Sequence, residues 1–508
     1  MTVVDLGLPP EARNADGSWR LFVDGAWIDC ADGSRFEVHD PADGSLVATV
    51  TSGGAADVDA AVTAAWQSFE AGRWRSKSPQ SRASALLRLA QQIARRSDEL
   101  AAIETRCNGM PLRDAKAMVK RCVSSLEYAS GFAQRAYGQS VPVANRYLDV
   151  TLREPIGVCA LIVPWNGPLL SALWKLGPAI VLGNSVVLKP SELTPLTALV
   201  LAECCQEAGI PPGVVNMIAG GPATGAELVA HPLVNKIAFT GSTATGKAIM
   251  KVASEHVKRV TLELGGKAPN IFFEDGDVSD AVLGALSGLM RNTGQTCIAG
   301  ARMLVQASMY DEFVERLTAA VDQLRVGPPT AESSQLGPIV SAKQLARVQS
   351  YVELAREEGA EVHGGGLLDG DGLAGGYYMR PGLITGAGND LRVNQEEIFG
   401  PVGAVLPFSD EEEAVAIANA TPYGLAAGVW TRDVKRALRV TRAVRAGTVW
   451  VNTYGWNFVE APMGGFKESG LGRENGSAVI DAYTETKNVV IELDEDDSLD
   501  IYRLRDVR

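Results

Sequence analysis

Apolar positions recur at helical spacing through residues 58–71, 82–110 and 115–137, among Ala, Arg and Glu, and that period predicts helices. The residues before them read as a polar leader. From Val158 the pattern changes. The runs "VCALIVPWN", "SVVLKP", "VVNMIAG" and "KIAFTGS" are short and β-rich, each followed by helix-like sequence. Strands alternating with helices predict parallel βαβ units in a doubly wound open sheet, which binds ligands at the carboxyl ends of its strands. "VTLELGGKAPNIFF" marks a second change, after which "ARMLVQA", "GAVLPF", "AAGVW" and "GTVWVN" predict a second α/β domain. Two outlying segments, "RYLDVTLREPIG" and "TKNVVIELD", alternate like exposed strands that need a partner. No repeat of fixed period is present, and the one low-complexity block is the Gly-rich loop 364–376.

Composition narrows the class. A chain of 508 residues allows roughly two to four domains, enough to build a large core without a disulfide or metal staple. The net charge of −13 argues against general nucleic-acid binding. Acid is densest in the C-terminal "ELDEDDSLD", which reads as a solvated tail. Seven scattered cysteines without a CxxC pair suit a reducing compartment, and four isolated histidines show no ligand spacing, so no metal is predicted. The first dozen residues lack a basic start and an apolar signal core. The most apolar stretch, 169–188, is interrupted by Lys175, Pro178, Gly183 and Asn184 and reads as a helix plus a strand, not a membrane span. A cytoplasmic protein with no membrane partner is expected.

Several residues could carry chemistry. In "RNTGQTCIAG", Cys297 is flanked by Gly294, Ala299 and Gly300. Small neighbours leave room at the sulfur and are compatible with a loop running into a helix, whose N-terminus favours a thiolate. The same cysteine also reads as a small buried hydrophobe. Glu263, in "ELGGK", follows a β-rich run and precedes two glycines; it is either a general base or a surface glutamate before a turn. Asn166, in "VPWNGP", is a neutral amide in a βα loop, suited to an oxyanion or to capping a helix. "FTGSTATGK" enters a helix through a Gly/Ser/Thr turn, so Ser242 and the free N–H groups make an anion site. "KPSE" places Lys189 and Glu192 after a strand, where a carboxylate accepts ribose hydroxyls and repels a 2′-phosphate.

Together these signals match a family. "PWN", "KPSE", "FTGS", "ELGGK", "GQTC", "EEIFGP" and "PMGGFKESGLGRE" occur in order over nearly the whole chain, with Glu263 and Cys297 separated by 34 positions. The sequence resembles the NAD(P)-dependent aldehyde dehydrogenase superfamily. The resemblance implies an aldehyde-dehydrogenase-like α/β fold, with two doubly wound open-sheet domains and a small β oligomerisation arm. It implies a NAD-binding domain from 1–137 and 156–263, a catalytic domain at 264–475, and an arm and tail at 138–155 and 476–508. A homodimer or homotetramer is implied, with Glu485 supporting the interface.

Carried over by position, the resemblance makes Cys297 the nucleophile and Glu263 the general base. Asn166 and the Cys297 N–H become the oxyanion hole, and Glu474 a second acid that relays protons. Trp165 and Ser242 would hold the pyrophosphate, Lys189 and Glu192 the adenosine ribose, and Glu397 the nicotinamide ribose, with Phe399 beside the ring. Gly221, Gly225, Phe239, Gly241 and Leu264 fall in the same cofactor loops. The cofactor implied is NAD, with NADP as the second choice.

Attack by Cys297 makes the aldehyde carbon tetrahedral, and losing one oxyanion donor typically costs ~3 kcal/mol of barrier. Hydride transfer leaves a thioester, which water activated by Glu263 hydrolyses. Two alternatives stand beside this: acyl transfer to coenzyme A, whose enzymes in the family generally lack the glutamate, and a non-catalytic NAD-binding structural protein, which would lack Cys, Glu or Asn. Gly167, Arg291, Asn457 and Met463 stand where relatives often carry rings, while Trp174 remains, which predicts a wider or more polar tunnel. Arg291 could pair with a substrate carboxylate or brace its loop through backbone carbonyls.

Overall fold

The computed structural model describes residues 6–370 and 372–493. The first five residues, one position of the Gly-rich loop and most of the acidic tail lie outside the described residues.

Val158–Ile162 and Ser185–Lys189 are buried at every position, as parallel strands covered on both faces must be. They belong to an eight-stranded sheet. From Val158–Ile162 the chain steps outward to Ser185–Lys189 and Val215–Met217, then returns to add Lys236–Thr240 and Arg259–Glu263 on the other side. The reversal falls between Val158–Ile162 and Lys236–Thr240, which pair in parallel with Ile162 opposite Phe239. Such a switch point opens a crevice beyond the carboxyl ends of the strands.

The residues before the first long helix are not a polar leader. Trp19, Leu21, Phe22, Val38, Val47 and Val50 are buried. Leu21–Val23 and Ala26–Ile28 form a hairpin that extends this sheet, Phe22 opposite Met217. Strands of three residues are too short to show an alternation in sequence. The predicted helix 82–110 is two helices, Pro79–Arg95 and Ser97–Asn108. Arg96 leaves helical geometry between them, and its guanidinium binds Glu99 and the Leu6 carbonyl.

The second sheet has seven strands, in the order Glu361–Gly364, Gly382–Thr385, Val402–Phe408, Arg302–Gln306, Pro269–Phe272, Ala426–Trp430 and Thr448–Val451. Alternate residues of its strands enter separate apolar clusters: Ile271, Leu304 and Leu406 pack on one side, Phe272, Val305 and Val405 on the other. The chain of the second half returns to the first sheet. Gly470–Leu471, from the stretch predicted as catalytic domain, pairs antiparallel with the first sheet, Gly470 opposite Glu263. A Cβ at Gly470 would lie 2.4 Å from the Leu262 carbonyl oxygen, so only glycine permits this approach.

The two outlying strands partner each other. Tyr147–Pro155 and Thr484–Glu492 run antiparallel from Pro155 opposite Thr484 to Tyr147 opposite Glu492. Leu148, Leu152, Val490 and Ile491 remain exposed on this ribbon. Glu485 grips Arg259 through both carboxylate oxygens, at 2.7 and 3.0 Å, tying the ribbon to the first sheet.

Candidate active site

Cys297 lies in a turn, not at the start of a helix. The Ala299 N–H donates to the Thr296 carbonyl, and the chain then enters the strand Arg302–Gln306. Nor do the flanking glycines leave open space. Gly294 holds φ +72°, and a Cβ there would fall 2.1 Å from the Gly400 carbonyl oxygen. At Gly300 a Cβ would meet Asn270 and the Tyr454 ring at 3.1 Å. These glycines let neighbouring chain pack against the turn and fix it. Tyr454 completes the support, its hydroxyl donating to the Ile298 carbonyl at 2.9 Å.

Three segments meet at this turn. The Asn166 side-chain amide donates to the Gln295 carbonyl at 2.9 Å. The Asn292 amide returns a bond to the Asn166 carbonyl at 3.1 Å. On the other side sits the turn after Glu263, where a Cβ at Gly266 would lie 2.3 Å from the Cys297 carbonyl oxygen. Gln295 pins the assembly from behind, its side chain accepting from the Val340 N–H and donating to the Asn292 carbonyl.

Burial pushes the Cys297 thiol up to about 12, and the Glu397 and Glu263 charges add to the shift. The Cys297 and Ile298 backbone N–H groups oppose it. Glu263 is 4 % exposed, and neither of its carboxylate oxygens has a hydrogen-bond partner among the described residues. Burial raises its pKa well above the carboxylate range, Glu474 raises it further, and Lys175 and Arg473 pull it down. Glu474 forms a buried ion pair with Lys175, whose ammonium also donates to the Thr240 hydroxyl at 2.6 Å. The antiparallel bridge between Met463 and Glu474, 2.7 Å in both directions, fixes that carboxylate's backbone.

The remaining candidates line the crevice at the switch point. Trp165 and Asn166 follow Val158–Ile162; Lys189 ends Ser185–Lys189, with Glu192 just beyond; Gly221 precedes the helix Pro222–Ala230, which contains Gly225. The Lys189 stem comes 3.5 Å from where a Cβ of Gly225 would stand. Burial lowers the Lys189 pKa and the Glu192 charge opposes this. Ser242 caps the helix Thr243–Ser254, accepting the Thr245 N–H. A Cβ at Gly241 would collide with the Phe239 ring, and one at Gly246 with Leu264, so these four residues set how closely that helix end meets the strands.

Across the crevice, Glu397 accepts the Gly266 N–H at 3.0 Å. Burial lifts its pKa to about 7 against the pull of that N–H, Arg347 and Lys267. Phe399, at φ +63°, meets Trp165 edge to face at 5.2 Å. Gln344 and Arg347 hold the carbonyls of Phe399 and Glu397. An ammonium, two carboxylates and a capped helix N-terminus strung along one crevice suit a ligand with two ribose diols around a pyrophosphate. The space is also kept: a Cβ at Gly265 would fall 2.5 Å from a Glu397 carboxylate oxygen.

Three contributors escaped the sequence reading. Lys175 was legible as a cation in an apolar run, which burial tolerates only when it is paired. Ser469 donates to the Gly265 carbonyl at 2.7 Å and accepts the Gly424 N–H; it lies inside a recognised motif, but nothing in the sequence pointed to that turn. Tyr454 had no local signal. Arg291 does brace its loop, donating to the Gly455 carbonyl at 2.6 Å.

Comparison with known proteins places this geometry. The model of the aldehyde dehydrogenase family matches residues 27–489. An aldehyde dehydrogenase from Aspergillus niger is 44% identical over 471 residues, 92% of this chain and 94% of that protein. The NAD+ complex of an aldehyde dehydrogenase from Bacillus cereus superposes with a TM-score of 0.92 at 41% identity, covering 94% of this chain and 97% of that one. A betaine aldehyde dehydrogenase from Staphylococcus aureus, solved with NAD+ and a BME-modified cysteine, gives 0.93 at 36% identity, over 94% and 98%.

Proposed function

The chain belongs to the aldehyde dehydrogenase family, and on that premise we propose that it oxidises an aldehyde to the carboxylic acid with NAD, through a covalent adduct on Cys297 hydrolysed with Glu263 as base. One observation carries the reading: Glu263 offers a buried carboxylate, without a hydrogen-bond partner among the described residues, beside the turn that holds Cys297.

In this reading the Cys297 sulfur adds to the aldehyde carbon and gives a thiohemiacetal. Its oxyanion is met by the Cys297 N–H and by the second N–H of the Asn166 amide, the first being spent on Gln295. When bound, NAD supplies the acceptor for the hydride that leaves this carbon. Glu263 then takes a proton from the water that attacks the thioester, releasing the acid and the thiol. Glu474, paired with Lys175 and through it with Thr240, leads that proton away. A base kept free for water supports hydrolysis over acyl transfer to coenzyme A.

For the cofactor, Lys189 and Glu192 would hold the adenosine ribose, Ser242 and Trp165 the pyrophosphate, and Glu397 the nicotinamide ribose beside Phe399. Gly221, Gly225, Phe239, Gly241 and Leu264 shape that crevice. The Glu192 charge supports NAD over NADP by repelling a 2′-phosphate. We read 1–137 with 156–263 as the NAD-binding domain, 264–475 as the catalytic domain, and 138–155 with 476–508 as an arm that joins subunits in a homodimer or homotetramer. The exposed apolar residues of the ribbon support that last reading. Seven unpaired cysteines support a cytoplasmic setting, and among the described residues no helix is long and apolar enough to cross a membrane.

Incubating the enzyme with NAD and an aldehyde, with and without coenzyme A, tests the activity. NADH should form without coenzyme A. Formation that requires it would replace the hydrolytic reading with the acylating one.

A further inference from the structure

Arg121 stands on the helix Leu112–Ser130, one turn beyond Met118. The Met118 methyl comes 3.9 Å from where a Cβ of Gly167 would be. This face of the helix therefore borders the loop that carries Asn166. Arg121 is half-buried, yet it makes no hydrogen bond or ion pair among the described residues. The charge that acts on it most is a like one. Burial and then the Arg291 guanidinium push its pKa below the ordinary value, and no carboxylate opposes them. Arg291 opens the 3₁₀ segment Arg291–Gly294 that leads into Gln295 and Cys297. One of its nitrogens is committed to the Gly455 carbonyl, and it too has no ion pair among the described residues.

Two neighbouring guanidiniums without a counter-ion among the described residues, Arg121 half-buried and Arg291 exposed, are an unfavourable arrangement that a bound anion relieves. Guanidinium forks match a carboxylate, two N–H donors to two oxygens. Gly167, Arg291 and Asn457 present no aromatic face, whereas a quaternary ammonium needs such faces. The exposed Trp456 and Phe458 on the Gly455 loop and the half-buried Trp174 would still leave it facing two positive charges.

We propose that Arg121 and Arg291 form an anion subsite at the mouth of the tunnel leading to Cys297, so that the preferred substrates are aldehydes carrying a carboxylate at the end remote from the carbonyl. The proposal rests on the reading of Cys297 as nucleophile. It departs from the Staphylococcus aureus relative, whose substrate, betaine aldehyde, is cationic.

The test compares kcat/KM for 4-oxobutanoate, butanal and betaine aldehyde in wild type, Arg121→Gln and Arg291→Gln. Wild type should favour 4-oxobutanoate over both others by at least about tenfold. Each substitution should lower the ratio of 4-oxobutanoate to butanal by about 10–100-fold, the span expected for one charged hydrogen bond, and chiefly through KM. A ratio untouched by either substitution, or a preference for betaine aldehyde, overturns the proposal. Calorimetric titration of the enzyme–NAD complex with glutarate, which has no aldehyde, reads the subsite separately from catalysis. Wild type should bind it about tenfold more tightly than either variant, and equal binding overturns the subsite. If glutarate binding follows the arginines while no aldehyde is oxidised, the subsite stands and the reading of Cys297 falls.

Discussion

Asn166 donates its side-chain amide to the carbonyl of Gln295, two residues before Cys297, at 2.9 Å. One amide thus holds the turn of Cys297 in place, and in the proposed mechanism its second N–H meets the oxygen of a bound aldehyde. Asn166→Ala should lower kcat by about 10²–10³-fold, the usual loss of an oxyanion donor. Steady-state rates at saturating NAD check this, and a kcat within threefold of wild type would remove Asn166 from the oxyanion hole.

Lys175 and Glu474 form the buried pair behind Glu263. Removing one partner strands the other charge in the interior, which typically destabilises by about 3–5 kcal/mol. Lys175→Met should therefore melt well below wild type. The double variant Lys175→Met, Glu474→Leu should recover much of the loss, because neither charge remains. Melting curves of the three proteins decide it; a single variant as stable as wild type would mean the pair is not sealed from water.

Cys297 and the general base lead to a pH prediction with a definite sign. Burial raises the thiol to about 12, so in the protein without NAD the sulfur is protonated at neutral pH and its thiolate fraction climbs with pH. Alkylation of Cys297 by iodoacetamide should accelerate roughly tenfold per pH unit between pH 7 and 9. A rate already at its plateau at neutral pH would show a resting thiolate instead. Glu263, also raised, becomes a base only above its elevated pKa, so hydrolysis should likewise weaken as pH falls.

Gly265 leaves just enough room for the carboxylate of Glu397, since a Cβ there would approach it to 2.5 Å. Gly265→Ala should displace Glu397 and raise the Kd for NAD by about tenfold, the loss of one charged hydrogen bond. Titration of NAD against intrinsic tryptophan fluorescence measures it, and an unchanged Kd would separate Glu397 from the cofactor.

The doubly wound sheet was legible because its central strands are short apolar runs separated by helix-like sequence, and burial on both faces forces that pattern. The hairpin Leu21–Val23 and Ala26–Ile28 was not, since three residues cannot display a period. Motifs single out Cys297, Glu263 and Asn166 as site candidates, but the surroundings of Cys297 differ from the sequence reading. Gly294 and Gly300 read as open space, whereas they admit Gly400 and the Tyr454 ring. A glycine's local sequence cannot say which distant chain will occupy the place of its missing Cβ. Lys175 and Glu474, 299 residues apart, illustrate the same limit: each charge was visible alone, and only the folded chain joins them.

Intact mass spectrometry of Glu263→Gln, mixed with NAD and an aldehyde that wild type turns over, tests the covalent route most directly. With the base disabled, the protein should gain the mass of one acyl group, lost again in Glu263→Gln, Cys297→Ser. A Glu263→Gln protein that reduces NAD yet never carries an adduct on Cys297 would contradict it.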